Sequence, residues 1–210
     1  MTREQLEHIL RAASAIAGDP DVLVVGSQSV LGSFADDDLP FEATSSMEAD
    51  VAFFDDPADA KADQVDGAIG ELSTFHETFG YYAQAVSVST AVLPEGWRGR
   101  VVTFATPGTA PGRGLCLEPH DCVVSKLVAG REKDLSFAAA LVREGLIDLD
   151  IIADRIRTVA AHPLVIEKAR SWFLSSAGGL GATRSPVPEP GHARRVAGGS
   201  LTPRLSQNRA

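Results

Sequence analysis

Along the first 170 residues, apolar positions switch repeatedly between a helical rhythm and short strand-like runs. Leu6, Ile9, Leu10, Ala13, Ile16 and Ala17 recur at three- and four-residue steps, the stripe of an amphipathic helix over residues 3–17. Gly18-Asp19-Pro20 ends it. Residues 21–25 are a short buried strand, and residues 27–34 read as a short helix after the turn Gly26-Ser27. The acidic stretch 35–46 reads as a long loop with Asp36, Asp37 and Asp38 at a solvated tip. A second strand opens at Glu48 and continues through Val51 to Phe54, and Asp55-Asp56-Pro57 caps a helix reaching about Leu72.

Partial alternation over 81–93 marks a third strand, which Pro94-Glu95-Gly96 turns into residues 100–104 as a hairpin. A Pro/Gly loop fills 106–114, Leu115–Leu117 is a short strand, and helices follow at 119–129, 134–144, 148–160 and 163–173. This order predicts an α/β or α+β fold with a small mixed sheet. We divide it into an α/β core (1–115), a helical part completing the site (116–174) and a tail (175–210). The tail is rich in Gly, Pro, Ser and Arg, lacks periodicity and is expected to be disordered.

Candidate chemistry sits where two strands open. Residues i and i+2 of a strand share a face, so Glu48 and Asp50 project together. Adjacent carboxylates repel unless a cation lies between them, and hard oxygen ligands suit Mg²⁺ or Mn²⁺. Gly26-Ser27 leads a strand into a helix, a place where backbone N–H groups receive phosphate. For Ser27 a plain helix N-cap remains the alternative. Together the two segments read as a site for a metal–nucleoside triphosphate.

Gly-Ser after the first core strand and an acidic x-acidic pair on the next resemble the nucleotidyltransferase superfamily. The closer resemblance is to small bacterial nucleotidyltransferase-like proteins of the AbiEii and MenT type, which include type IV toxins. Their second motif, a helical lysine followed by a basic-Asp pair, corresponds here to Lys126 and to Arg131-Glu132-Lys133-Asp134. The resemblance implies a nucleotidyltransferase-like fold and transfer of a nucleotide from an NTP to an acceptor hydroxyl. Glu48 and Asp50 would hold the metal. Gly26, Ser27, Arg131 and Lys133 would bind the triphosphate, with Lys126 on the leaving group. Asp134 would assist as a cap, an orienting partner of Lys126 or a metal helper. It also implies a toxin-like acceptor, a tRNA 3′ end or a protein hydroxyl, and a cognate antitoxin.

Two departures keep alternatives open. The first acid is the longer Glu48, and the later strand carries serines (Ser87, Ser89) where a third carboxylate is expected, which weakens a two-metal mechanism. An impaired nucleotide- or partner-binding member is one alternative. A small-molecule transferase of the antibiotic-modifying type, with an acidic pocket for a cationic acceptor, is the other.

Composition narrows the field without choosing among these. The formal charge is −9, which argues against a protein that coats nucleic acid over its whole surface. The tail carries five arginines against a single glutamate, so the acid excess lies on the body. No run reaches the roughly 18–20 apolar residues of a membrane span, and the start is not a secretory signal, so the cytoplasm is the expected location. Cys116 and Cys122 lack metal-ligand spacing and are read as buried small hydrophobes. His120-Asp121 reads as a helix-capping pair.

Overall fold

The first helix shows how local signals set the frame. Thr2 and Gln5 form a reciprocal capping box at the start of α1 (Arg3–Ala17), and Gly18 ends it at φ 63°. Leu6, Ile9, Leu10 and Ala13 form its buried face. The computed structural model describes residues 1–180, and Met1–Leu180 form one compact unit. The sequence-based core (1–115) and helical part (116–174) both lie inside that unit.

Five strands make one mixed sheet in the order β3-β2-β1-β5-β4. They are β1 (Asp21–Val24), β2 (Glu48–Ala52), β3 (Tyr82–Ala85), β4 (Val102–Phe104) and β5 (Arg113–Cys116). Val22, Leu23 and Val24 are all fully buried, as a central strand covered on both faces requires. β1 pairs antiparallel with β2 and parallel with β5, β2 pairs parallel with β3, and β4 pairs antiparallel with β5. The mixed α/β class expected from the sequence is the observed one.

The strand pairing corrects the expected hairpin. β3 and β4 stand at opposite edges, and the hairpin joins β4 to β5 through the Pro/Gly loop. Alternation after Ala85 is broken by Ser87, Ser89 and Thr90, and the chain leaves the sheet in a 3₁₀ turn at Val88–Thr90. A second 3₁₀ turn, Trp97–Gly99, follows Gly96.

Several helices differ from the expectation in extent. Residues 27–34 hold a 3₁₀ helix, Ser27–Gly32, and the acidic loop contains a 3₁₀ turn at Asp36–Asp38 and the one-turn helix α2 (Phe41–Thr44). The helix expected to reach Leu72 ends earlier, at Ile69 of α3 (Ala60–Ile69), and Ser73 caps a separate helix, α4 (Thr74–Phe79). Asp56 accepts from the backbone N–H groups of Lys61 and Ala62 ahead of α3.

Four helices complete the unit: α5 (Pro119–Ala129), α6 (Glu132–Arg143), α7 (Leu149–Ile156) and α8 (Pro163–Leu180). α5 packs against α6, α7 and the 3₁₀ turn after β1, while α1 packs against α3. α8 runs past residue 175, where the sequence reading starts the tail; residues 181–210 of that expected tail lie outside the described residues. Among the described residues no helix is long and apolar enough to cross a membrane.

Candidate active site

The end of β1 and the start of β2 build the site. Val25 donates its N–H to the Asp50 carbonyl at 3.0 Å, which draws the Gly26-Ser27 turn alongside the Asp50 side chain. Gly26 is the N-cap residue of the 3₁₀ helix and Ser27 its first residue, so the serine is not the cap. A six-residue 3₁₀ turn carries only a small dipole, so an anion here would lean more on the Ser27 hydroxyl and the nearby lysines than on the turn. Beneath the turn, the buried Cys122 thiol donates to the Gly26 carbonyl at 3.5 Å; Cys122 and Cys116 are both free and buried.

Glu48 and Asp50 are both on β2, each half-buried, with Ala49 and Val51 in the core between and beyond them. Glu48 lines a cavity of about 230 Å³ with Ser27, Lys126, Lys133 and Asp134. Asp50 lines an adjoining cavity of about 150 Å³ with Gly26, Lys126 and Arg131. Lys126 borders both, so one ammonium serves the two halves of a single groove. All eight residues singled out in the sequence therefore meet around Lys126.

The second motif is organised by Asp134. Gly130, at φ 64°, ends α5 and lets Arg131 turn back as the N-cap residue of α6, which places Asp134 in the first turn of α6. Asp134 is 2% exposed and accepts from Arg131 Nε at 2.6 Å and Arg131 Nη2 at 3.3 Å, with Lys126 Nζ at 3.4 Å. Its geometry suits orienting Lys126 and Arg131. Burial alone would raise its carboxyl; the Arg131 hydrogen bond and the Lys126 charge hold it below the usual range. The same bond raises Arg131. Lys133 is more exposed and reaches Glu48 at 3.8 Å.

Asp50 is treated differently. Among the described residues its carboxylate has no hydrogen-bond or ion-pair partner. Burial pushes it above the ordinary carboxylate range; Lys126 opposes this, Glu48 adds to it, and Lys133 and Arg131 oppose it further. A desolvated carboxylate that other cations approach without binding, two residues from a second one, is a donor set that fits a hard divalent ion. No group of three or more His, Cys, Asp or Glu gathers as ligands among the described residues. An ion here would take two carboxylates and complete its shell with water and phosphate oxygens.

Two further residues support the site and were not singled out in the sequence. Tyr82 is the register partner of Glu48 on β3 and donates its hydroxyl to Glu48 Oε2 at 3.1 Å. Burial, then the Glu48 charge, pushes that hydroxyl up to about 12, so it remains a donor at neutral pH. Asp50 pairs in register with Gln84, so the third strand carries no acid at either position. Gln28, 1% exposed, sits directly behind Ser27. Only strand register could have pointed to Tyr82, and the polar run Ser27-Gln28-Ser29 gave no local sign that Gln28 is buried.

His120 and Asp121 turn out to belong to an ion network away from the groove. Glu118, not the pair, caps α5, and the fully buried Asp121 is held by Arg100 at 2.8 and 3.0 Å and by Arg155 at 2.9 Å. The groove is the feature that comparison with other proteins bears on. Neither a curated protein nor a solved structure matches the chain. A family match spans residues 4–173, taking in both strand openings, Lys126 and the Arg131–Asp134 segment; the chain belongs to the family described as nucleotidyltransferase of unknown function (DUF6036).

Proposed function

We propose that this nucleotidyltransferase family member transfers NMP from an NTP. An acceptor hydroxyl attacks the α-phosphate and gives up its proton to solvent, the bond from the α-phosphorus to the bridging oxygen breaks, and pyrophosphate leaves. The observation that carries this reading is Asp50: a half-buried carboxylate with no partner among the described residues, sharing a cavity with Gly26 and Lys126 and lying two residues from Glu48. Mg²⁺ or Mn²⁺ held by Glu48 and Asp50 would neutralise charge developing on the phosphates. Ser27, Lys126 and Lys133 line the cavity suited to the triphosphate, and Arg131 lies on the Asp50 side. Lys126 and Arg131 offset charge on the departing pyrophosphate, and Asp134 keeps both pointed at it.

For the acceptor, the sequence resemblance supports an RNA end such as a tRNA 3′ hydroxyl, or a protein hydroxyl, in a toxin-like enzyme with a cognate antitoxin. A second reading has its own observation. A cleft of about 350 Å³ along the ends of β2 and β3 is lined by Asp55, Asp56 and Asp59 beside Phe53 and Phe54, and it shares Val86 with the Asp50 cavity. That lining favours a small cationic acceptor. The test is incubation with each NTP, labelled in turn with ³²P at the α- and γ-phosphate, and with RNA, protein or cationic aminoglycoside-like acceptors. Transfer of α-label alone, lost in Asp50→Ala, supports nucleotidyl transfer and names the acceptor. No transfer, with triphosphate still bound, favours an impaired binding member.

A further inference from the structure

Gln28 is buried directly behind the Ser27 side chain, yet its hydrogen bonds are incomplete. Its Nε2 donates to Ser27 Oγ and to the Ala43 carbonyl, each at 3.2 Å. Only the amide nitrogen can donate to a carbonyl, so the Ala43 bond sets which way the amide points. Its Oε1 is then buried with no partner among the described residues. Leaving a buried amide oxygen unpaired is destabilising, since it gives up its bond to water and gains none in return. An apolar side chain of the same shape would remove that orphan but leave the Ala43 carbonyl without its donor, so what the glutamine adds is the pair of bonds made by Nε2.

The two bonds made by Nε2 have a consequence for the groove. Ser27 Oγ accepts from Gln28, so its own O–H points elsewhere, and the cavity it lines with Glu48, Lys126 and Lys133 is where that proton has an acceptor to find. Ala43 belongs to α2, and Glu42, Ser45 and Ser46 from the same segment line that cavity. One buried amide thus ties the serine to the cavity wall. We propose that Gln28 is a positioning residue of the triphosphate site, holding the Ser27 hydroxyl as a donor to a phosphate oxygen and the 42–46 wall in register with it. This rests on the nucleotidyl-transfer reading.

The test is calorimetric titration with Mg²⁺ and inorganic tripolyphosphate, a probe that needs no knowledge of the base. Wild type, S27A, Q28L, Q28M and S27A/Q28L are compared, each with a melting curve. The expected result is a loss of affinity of about tenfold in S27A, Q28L and Q28M, the scale of one hydrogen bond to a charged group. The double variant should bind no more than about twofold worse than S27A while the melting curves show every variant folded, a non-additivity that a merely structural glutamine does not produce. Unchanged binding in both Q28L and Q28M, or losses that multiply in the double variant, overturn the proposal alone. A folded wild type that binds no tripolyphosphate overturns the nucleotidyl-transfer reading and this proposal with it.

Discussion

The Asp50 carboxylate lies against the α-carbon of Gly26, so closely that a Cβ on Gly26 would stand 1.6 Å from Asp50 Oδ2. Gly26 has φ −88° and ψ −162°, a conformation open to any residue, so space and not backbone freedom demands the glycine. Gly26→Ala is expected to displace the Asp50 side chain and lower the transfer rate by at least about 100-fold, because catalytic groups tolerate little misplacement. Initial rates would show the loss, and an unchanged circular dichroism spectrum would show that the fold survives.

Asp50 also makes a stability prediction. Its carboxyl titrates higher in the fold than in the unfolded chain, so the favourable contribution is present at low pH and is lost as pH rises through the folded value. At pH 7 without metal, the ionised group therefore destabilises the protein. Asp50→Asn should raise the metal-free Tm by about 2–4 °C, the shift worth about 1 kcal/mol at this size. Mg²⁺ and triphosphate should raise the Tm of the wild type, and the same variant should lose that rise.

Glu118 predicts the opposite pH behaviour. Burial would raise its carboxyl, and hydrogen bonds from His120 and Arg155 overcome this to hold it at about 2, against an ordinary 4.5. Its stabilisation is complete above the ordinary value and is lost as pH falls from about 4.5 towards 2. Glu118→Gln should lower the Tm at pH 7 and flatten the fall in Tm between pH 5 and pH 3. Thermal melts across that range check both.

Tyr82 braces the longer first acid. Its hydroxyl holds Glu48 Oε2 at 3.1 Å and leaves Oε1 facing Lys133. Tyr82→Phe should cost about 1 kcal/mol of stability and weaken the apparent affinity for Mg²⁺ about tenfold. Saturating Mg²⁺ should restore the rate. Activity measured against Mg²⁺ concentration separates this from a general loss.

The parts of the site legible in the sequence were those written locally. Gly26-Ser27 and Glu48-Asp50 each lie within a few residues of one strand, and Lys126, Arg131, Lys133 and Asp134 lie along one helix–turn–helix. What failed was pairing at a distance. Tyr82 to Ala85 looks the same in sequence whether it pairs with β2 or with β4, and only the sheet places Tyr82 against Glu48 and separates β3 from β4. The Asp121 network was hidden for the same reason, since Arg100 and Arg155 reach it from 21 and 34 residues away. Helix limits failed on a finer scale: the run around Gly70 and Ser73 contained both a stop and a new cap, so the first helix was drawn on to Leu72 and α4 was left unassigned.

The central claim is that Glu48 and Asp50 form a metal site completed by triphosphate. The most direct measurement is Mn²⁺ binding by electron paramagnetic resonance, with and without an α,β-methylene nucleoside triphosphate, in wild type, Glu48→Gln and Asp50→Asn. The protein and the triphosphate together should bind Mn²⁺ at least about tenfold more tightly than either alone, and both variants should abolish that gain. Equal Mn²⁺ binding in wild type and variants, with the nucleotide present, would contradict it.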